Sequence, residues 1–359
     1  MSSVSMGEVI GRLQQEGLLE QGQASLAPAE LGNAALATPW YLRFMVGFGA
    51  WLAAVFFMGF FTLLTHSKPA ALFFGALLLI AAIATRRLDR GDFLNQLAFA
   101  ASLSGQLLIL FGSDIRSATG MALLVLALQG VTIAFYRDKT HRLLSTLVAI
   151  AALQALFFEW KWPYAAPALA GLLAMAFTHF WLQGAAYSTP TRDRLLRPIA
   201  YGLVIAMFGL LLPSMFPPAF NNDNPFYQHA RHLWLSTVLL GAVLLYLVHV
   251  FLKERGLRPF GPLAWAGYDA VLLLMWPGLK APGLIGALIV LLIGFRRGNR
   301  LLIGMALLFL AAFLSAYYYH LSISLLQKSA ALAGSGAVLL ALRWALLKLL
   351  PREEKNHAH

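Results

Sequence analysis

The chain has 359 residues, of which 60% are hydrophobic and 12% are charged, and its formal net charge is +12. Soluble globular domains contain about half apolar and about a quarter charged residues, so this composition excludes a soluble globule. It predicts an all-α, polytopic membrane protein. The chain contains no cysteine, which excludes disulfides, thiolate metal sites and cysteine nucleophiles.

Residues 1–39 lack a long apolar run and are predicted to form a cytoplasmic cap of two short helices. The first helix begins near Ser5, with Glu8 three residues later as in a capping box. The second begins near Pro28, a favourable first-turn residue. The pair has too few apolar side chains for a core of its own, so it either docks on the bundle or binds a partner. No cleaved signal peptide is predicted, because a basic start followed by an apolar core is absent.

Residues 40–350 are predicted to form the transmembrane bundle, and residues 351–359 a cytoplasmic tail. A helix needs about 20 mainly apolar residues to cross roughly 30 Å of hydrocarbon. Twelve such runs can be placed, at residues 44–64, 69–85, 93–111, 119–136, 143–158, 164–183, 198–213, 233–252, 261–276, 281–295, 301–319 and 329–350.

Lys and Arg residues alternate between the two sides of this bundle. Five loops carry three basic residues each, near residues 86–90, 137–142, 192–197, 253–258 and 296–300, and the intervening loops carry one each. Positively charged loops stay in the cytoplasm, so 21 of the 27 basic residues lie inside and 6 outside. Both termini are therefore predicted to be cytoplasmic. The spread of the basic residues favours anionic lipid head groups as partners and argues against nucleic acid.

One acidic residue, Asp269, lies deep in the ninth apolar run, ahead of Trp276-Pro277-Gly278. A charged carboxylate in hydrocarbon is costly, so such residues usually face a bundle interior and are functional candidates. We expect Asp269 to face the interior beside a hydrogen-bonding partner, and Pro277 to interrupt a short helix. The sequence leaves open whether Asp269 acts in transport or only in a structural pair.

Three further polar residues complete a candidate intramembrane site: Tyr268, beside Asp269, and Gln106 and Gln129, in the third and fourth runs. Amide side chains join membrane helices through hydrogen bonds. The alternative is that these side chains line a polar path.

The longest predicted outer loop, residues 213–232, combines Asp223, His229, Arg231 and His232 with aromatic residues. Such a mixture can bind an anionic sugar, a lipid phosphate or a peptide, whereas its Asn and Pro residues also suit a plain surface turn. Two histidines three residues apart, without a third ligand, do not predict a zinc site. No metal or cofactor is therefore predicted.

Two predicted outer turns share a pattern. Residues 162–171 and 276–286 both contain Trp-Pro followed by Pro-small-Leu-x-Gly. The likeness is compatible with an internal repeat, the arrangement that places transporter sites at repeat interfaces. It is also compatible with chance in a chain rich in Ala, Leu and Pro.

The C-terminal segments Phe295–Gly304, Tyr317–Ser329 and Gly334–Arg343, with the amphipathic stretch Leu13–Leu19, carry a family resemblance. They resemble uncharacterised bacterial membrane proteins of the 4401 family of domains of unknown function and the related 2157 family. The resemblance implies a bacterial inner-membrane location. It supplies no activity and no catalytic residue.

Three functions remain. A carrier or lipid-handling protein would line a path with Asp269, Tyr268, Gln106 and Gln129, whereas an assembly subunit would bind another membrane protein. An enzyme that acts on lipid-linked sugars would need the 213–232 loop. Nucleotide-binding, metalloprotease and serine-hydrolase motifs are absent from the sequence, so the enzyme ranks last. The carrier ranks slightly ahead of the assembly subunit, because a buried aspartate needs a reason.

Overall fold

The computed structural model describes residues 67–88, 92–162, 164–182, 190–215, 232–258 and 261–320, with scattered positions between 45 and 59 and between 326 and 344. These residues are almost entirely helical, and no strand occurs among them. The predicted cap, the tail, and most of the first and last predicted spans lie outside the described residues.

Ten α-helices occupy the continuous described ranges: α1 Lys68–Leu88, α2 Asp92–Gly112, α3 Ala118–Phe135, α4 Lys139–Glu159, α5 Ala165–Leu182, α6 Pro190–Leu211, α7 Leu233–Glu254, α8 Pro262–Gly278, α9 Gly283–Arg297 and α10 Arg300–His320. Among the described residues, eight helices are long and apolar enough to cross a membrane. The two others, α8 and α9, have 17 and 15 residues and match the two short predicted spans. The chain is therefore an all-helical, multi-pass membrane protein.

Several helix bounds differ from the prediction, by up to eight residues. Helix α6 begins at Pro190, eight residues before the predicted start of the span at 198, and a 3₁₀ turn, Leu212–Met215, follows it. Its N-terminal turns contain arginines that lower the hydropathy without preventing a helix. Helix α8 continues through Pro277 and ends at Gly278, so the chain break predicted at Trp276-Pro277-Gly278 lies at the end of the helix. Pro277 lies in the last turn of α8. A hydrogen bond of 3.0 Å from the Leu279 N–H to the Met275 carbonyl closes that turn.

The chain divides into two compact units, Met1–Asp114 and Ile115–His359, and each is described by itself. In the first unit, α1 and α2 form a closely packed hairpin. A Cβ on Gly105 would lie 2.7 Å from the Gly75 carbonyl oxygen, and one on Gly112 would lie 2.7 Å from the Lys68 carbonyl oxygen. Glycine is needed at these positions because the two backbones touch. An ion pair between Lys68 and Asp114 joins the ends of the hairpin.

The second unit contains a hydrophobic core formed mainly by α5, α6, α7 and α9. Phe177, Phe208, Leu240 and Ile285 are fully buried in it. Most of α9 is buried on every side, from Gly283 through Gly294. A helix enclosed by other helices can be shorter than one that spans lipid alone, which accounts for its 15 residues.

A tight Schellman turn ends α4. Lys161 has a positive φ of 54°, in the left-handed region. Its N–H donates to the Phe158 carbonyl, the Trp162 N–H donates to the Phe157 carbonyl, and both bonds are 3.0 Å long. The Phe157 and Trp162 rings stack with 6.0 Å between their centroids. This turn fixes the end of α4 at Glu159, where the candidate site begins.

Candidate functional site

A cavity of about 520 Å³ lies among the ends of α3, α4, α5, α6 and α7. Helix α4 lines it with Ala151, Gln154, Ala155, Phe158 and Glu159. Successive turns contribute Ala151, then Gln154 and Ala155, then Phe158 and Glu159, so the five positions share one face of the helix. The remaining lining residues come from the other helices and the 3₁₀ turn: Ala118, Ala166, Pro167, Gly209, Leu210, Pro213, Leu233 and Ser236.

Small side chains leave this space open. Ala151 and Ala155 on α4 line the cavity together with Gly209 on α6. A Cβ placed on Gly209 would meet no atom within 4 Å. The cavity therefore has room beside Gly209 for a larger side chain or for part of a ligand, and its volume falls within the roughly 300–1,000 Å³ typical of ligand sites.

Three polar side chains lie in the cavity wall. The Ser236 hydroxyl donates to the Pro167 carbonyl at 3.4 Å. The Gln154 amide oxygen is buried, and no donor for it is found among the described residues. Rotating the amide toward the cavity therefore breaks no hydrogen bond to that oxygen. Glu159 is exposed, and the described lining residues include no Lys, Arg or His. The described part of the wall thus presents a carboxylate and an amide but no cation.

Most of the described basic side chains of the second unit lie at the opposite end of its helices, whereas Arg116, Lys161 and Lys280 lie at the cavity end. Arg296 pairs with Glu254, and Arg297 Nε donates to the Trp181 carbonyl at 2.9 Å. These contacts join the C-terminal ends of α5, α7 and α9. The cavity, by contrast, lies beside the C-terminal end of α4 and the N-terminal ends of α5 and α7.

A buried polar cluster links α3 to α4. We define the α3–α4 cluster as Gln129, Thr132, Tyr136, His141 and Ser145. The Thr132 hydroxyl lies 3.0 Å from the Ser145 hydroxyl, which lies 3.0 Å from His141 Nδ1. Thr132 also donates to the Gln129 carbonyl at 3.0 Å, and the Tyr136 ring packs 4.2 Å from the His141 ring. All five residues are buried, so this serine–histidine contact has the geometry of a structural link and no open path to a substrate.

Asp269 is exposed on α8, so the prediction that it faces the bundle interior is wrong. No hydrogen bond or ion pair to its carboxylate is found within the described ranges. The buried side of α8 is formed by Ala264, Val271 and Gly278. These three residues repeat every seven positions, close to two helical turns, so they share one side of α8. Asp269 lies on the opposite side of the helix.

Tyr268, Gln129 and Gln106 each contact a residue other than Asp269. The Tyr268 hydroxyl lies 3.0 Å from His249 Nδ1, on α7. Gln129 belongs to the α3–α4 cluster. Gln106 is buried in the first unit, where its amide nitrogen lies 3.3 Å from the Ser102 hydroxyl. The involvement of these residues in a path stays a prediction.

Comparison with protein families gives one match. The model described as "Domain of unknown function (DUF4401)" matches residues 39–349. The chain belongs to this family. Searches of the curated proteins and of the solved structures found no match. Membership in the DUF4401 family confirms the resemblance seen in the C-terminal segments and assigns no chemistry, so the function has to be argued from the site.

The predicted outer-loop site of this DUF4401 protein is only partly described. Asp223, His229 and Arg231 lie outside the described residues. His232 precedes α7, and its ring lies 4.4 Å from the Tyr164 ring, next to the cavity residue Leu233. Within the described ranges, no group of three or more His, Asp or Glu side chains is arranged to hold a metal ion.

Proposed function

We propose that this protein is a carrier or lipid-handling protein that holds an amphipathic ligand in the α3–α7 cavity. The observation that supports the proposal is the cavity itself, with about 520 Å³ of space and a wall of Ala, Gly, Pro, Leu and Phe with three polar side chains. Ligand sites in proteins are usually concave and largely apolar, with a few polar groups that orient the ligand.

The polar groups of the wall indicate the chemistry of the ligand. Glu159 supplies a carboxylate, and Gln154 has a buried amide oxygen for which the described residues provide no donor. A buried acceptor without a donor is costly, and a ligand hydroxyl or ammonium group removes that cost. We infer that the ligand combines an apolar body with a neutral or cationic donor group. Phosphate-terminated or carboxylate-terminated head groups suit this wall poorly because its described residues include no cation.

We further propose that the bundle has twelve spans, lies in a bacterial inner membrane and keeps both termini in the cytoplasm. In that topology the cavity opens toward the outer side, and the basic end meets anionic lipid head groups. Cysteines introduced at Ser113 and Ser188 test the orientation, since the chain has no other thiol. Only the cysteine at 113 should react with an impermeant reagent in intact cells. Labelling at 188 instead would reverse the topology.

The ligand proposal is tested by filling the cavity. Gly209→Leu places a side chain where no atom lies within 4 Å of the new Cβ. Gly304→Leu is the matched control, because a Cβ at Gly304 on α10 also meets nothing within 4 Å and lies outside the cavity wall. Native mass spectrometry would measure retention of acyl-labelled phosphatidylethanolamine, which keeps its ammonium group, and of phosphatidylglycerol.

We expect the wild type and Gly304→Leu to retain phosphatidylethanolamine over phosphatidylglycerol, and Gly209→Leu to lose that preference. The same three proteins in liposomes would then be compared for movement of the labelled lipid between leaflets. Equal retention by the two leucine variants would contradict a ligand site in the cavity. Selective retention without lipid movement would support ligand binding in the cavity but contradict the carrier role.

A second function, that of an assembly subunit, is favoured by one separate observation. Asp269 is exposed on α8 among apolar side chains, an arrangement that a purely lipid-facing surface does not explain.

A further inference from the structure

One exposed side of α8 combines an acidic residue with large apolar residues. We define the α8 strip as Trp265, Asp269, Leu272, Leu273 and Trp276. The exposed fractions are 52% for Trp265, 56% for Leu272, 75% for Leu273 and 81% for Trp276, and Asp269 is exposed between them. The positions are separated by three, four, seven, eight or eleven residues, apart from the adjacent leucines, so they share one helix face.

The contacts of α8 with α7 place Asp269 well away from the ends of these two helices. The two helices run antiparallel, because Thr237 Oγ1 donates to the Gly278 carbonyl at 2.6 Å and Tyr268 contacts His249. Asp269 therefore lies level with Val248 on α7, six residues before the end of that helix at Glu254. At 1.5 Å per residue, this is about 9 Å from the end of a helix about 33 Å long.

Asp269 differs in this respect from the other described acidic residues. Asp92, Asp114, Asp138, Glu159, Asp193 and Glu254 lie at helix ends or between helices. A charged side chain at the depth of Asp269 is strongly disfavoured on a lipid-facing surface, and acidic residues inside membranes usually pair with another group. Within the described ranges, this chain supplies no such group.

We propose that the α8 strip docks a transmembrane helix of a different membrane protein, one that carries a Lys or Arg side chain near the middle of its span. The cation would pair with Asp269, and the apolar residues of the strip would pack against that helix. Ala266 and Ala270, exposed along one edge of the strip, let the second backbone approach closely, as small residues do at membrane helix contacts.

Charge complementarity favours a different protein over a second copy of this chain. The described Lys and Arg side chains all lie in loops or near the ends of the candidate spans. A second copy would therefore bring no described cation to the depth of Asp269. A symmetric contact through α8 would place two aspartates together, and two carboxylates repel unless they share a proton.

The test uses the full-length protein in liposomes with synthetic transmembrane peptides. Each peptide is a leucine-rich helix of about 20 residues, with either a central lysine or a central leucine. Energy transfer between a labelled peptide and the labelled protein measures association. We expect the lysine peptide to bind the wild type and Asp269→Glu, and to bind Asp269→Leu about tenfold more weakly, in line with polar contacts between membrane helices.

Two further variants test whether the strip itself is required. The first combines Asp269→Leu with Leu308→Asp, which moves the carboxylate to α10, at a position that is 69% exposed. We expect this protein to bind the lysine peptide less well than the wild type, and the double variant Leu273→Ala, Trp276→Ala to bind it several-fold less well. All variants are first checked for monodisperse elution in detergent.

Three results would overturn the proposal. The first is equal association of the lysine and leucine peptides with the wild type. The second is wild-type binding by the Leu273→Ala, Trp276→Ala variant, which would leave a charge contact without a docking face. The third is energy transfer between two labelled copies of the wild type that disappears in Asp269→Leu, which would make the occupant a second copy.

Discussion

The α3–α4 cluster and the α8 strip both place polar side chains within the transmembrane bundle, but they differ in where the partners lie. In the cluster, His141 and Ser145 find partners on their own helix and on α3, and all of these groups are buried. In the strip, Asp269 is exposed among Leu272, Leu273 and two tryptophans. The cluster therefore stabilises the folded chain, whereas the strip is expected to contribute to stability only after another helix covers it.

The largest expected effect comes from removing the centre of the cluster. His141→Ala deletes a buried ring that packs on Tyr136 and contacts the Ser145 hydroxyl. We expect the free energy of unfolding to fall by about 2–4 kcal/mol, as for other large buried side chains cut to alanine. Unfolding by sodium dodecyl sulfate in mixed micelles measures the change.

The control for this variant is His179→Ala, which removes an exposed histidine near the end of α5. Surface substitutions usually change stability by no more than about 0.5 kcal/mol. If both histidine variants unfold like the wild type, the cluster does not hold α3 and α4 together, and the contrast with α8 disappears.

A smaller effect is expected from the hydroxyl pair that joins the two helices. Thr132→Val and Ser145→Ala each remove one partner of the 3.0 Å contact. Each change should cost about 1 kcal/mol, because a buried group loses a hydrogen bond. In a double-mutant cycle the two effects should be coupled by about 0.5 kcal/mol or more, as expected for groups in contact. Strictly additive effects would show that the two hydroxyls act independently.

Polar residues near the turn between α3 and α4 give only a weak signal of this contact in the sequence. Thr132 lies three residues before the end of α3, whereas Ser145 lies six residues after the start of α4. In an antiparallel helical hairpin, residues placed symmetrically about the turn lie at the same level. Because Thr132 and Ser145 are not symmetric about it, the sequence alone does not identify the contact.

The order and approximate bounds of α1 to α10 were predictable because the length of an apolar run is a local property. The direction in which Asp269 faces was not. Around it, Val271 is buried whereas Leu272 and Leu273 are exposed, and all three are equally apolar. In a membrane helix, apolar side chains suit both the core and the lipid, so periodicity does not distinguish the two faces.

The cavity could not be predicted from the sequence either, because it depends on how several helices pack together. Ala151, Gln154 and Ala155 on α4 are unremarkable by themselves. They line an open space only because Gly209 on α6 and Ala166 on α5 lie opposite. A polar residue between small residues on one helix face is a weak signal, and the packing of the neighbouring helices decides its meaning.

The smallest effect is expected on the α8 strip, and it tests the comparison most sharply. Asp269→Leu and Trp276→Ala should each change the free energy of unfolding in detergent by less than about 0.5 kcal/mol, as exposed substitutions usually do. Val271→Ala on the same helix is the matched control, since Val271 is only 5% exposed. It removes two buried methyl groups, and the lost packing should cost about 1–2 kcal/mol, as for other large-to-small changes in a packed core. A loss for Asp269→Leu as large as that for Val271→Ala would mean that the carboxylate has a partner within this chain. The two regions would then differ in exposure alone, and a partner from another protein would no longer be needed.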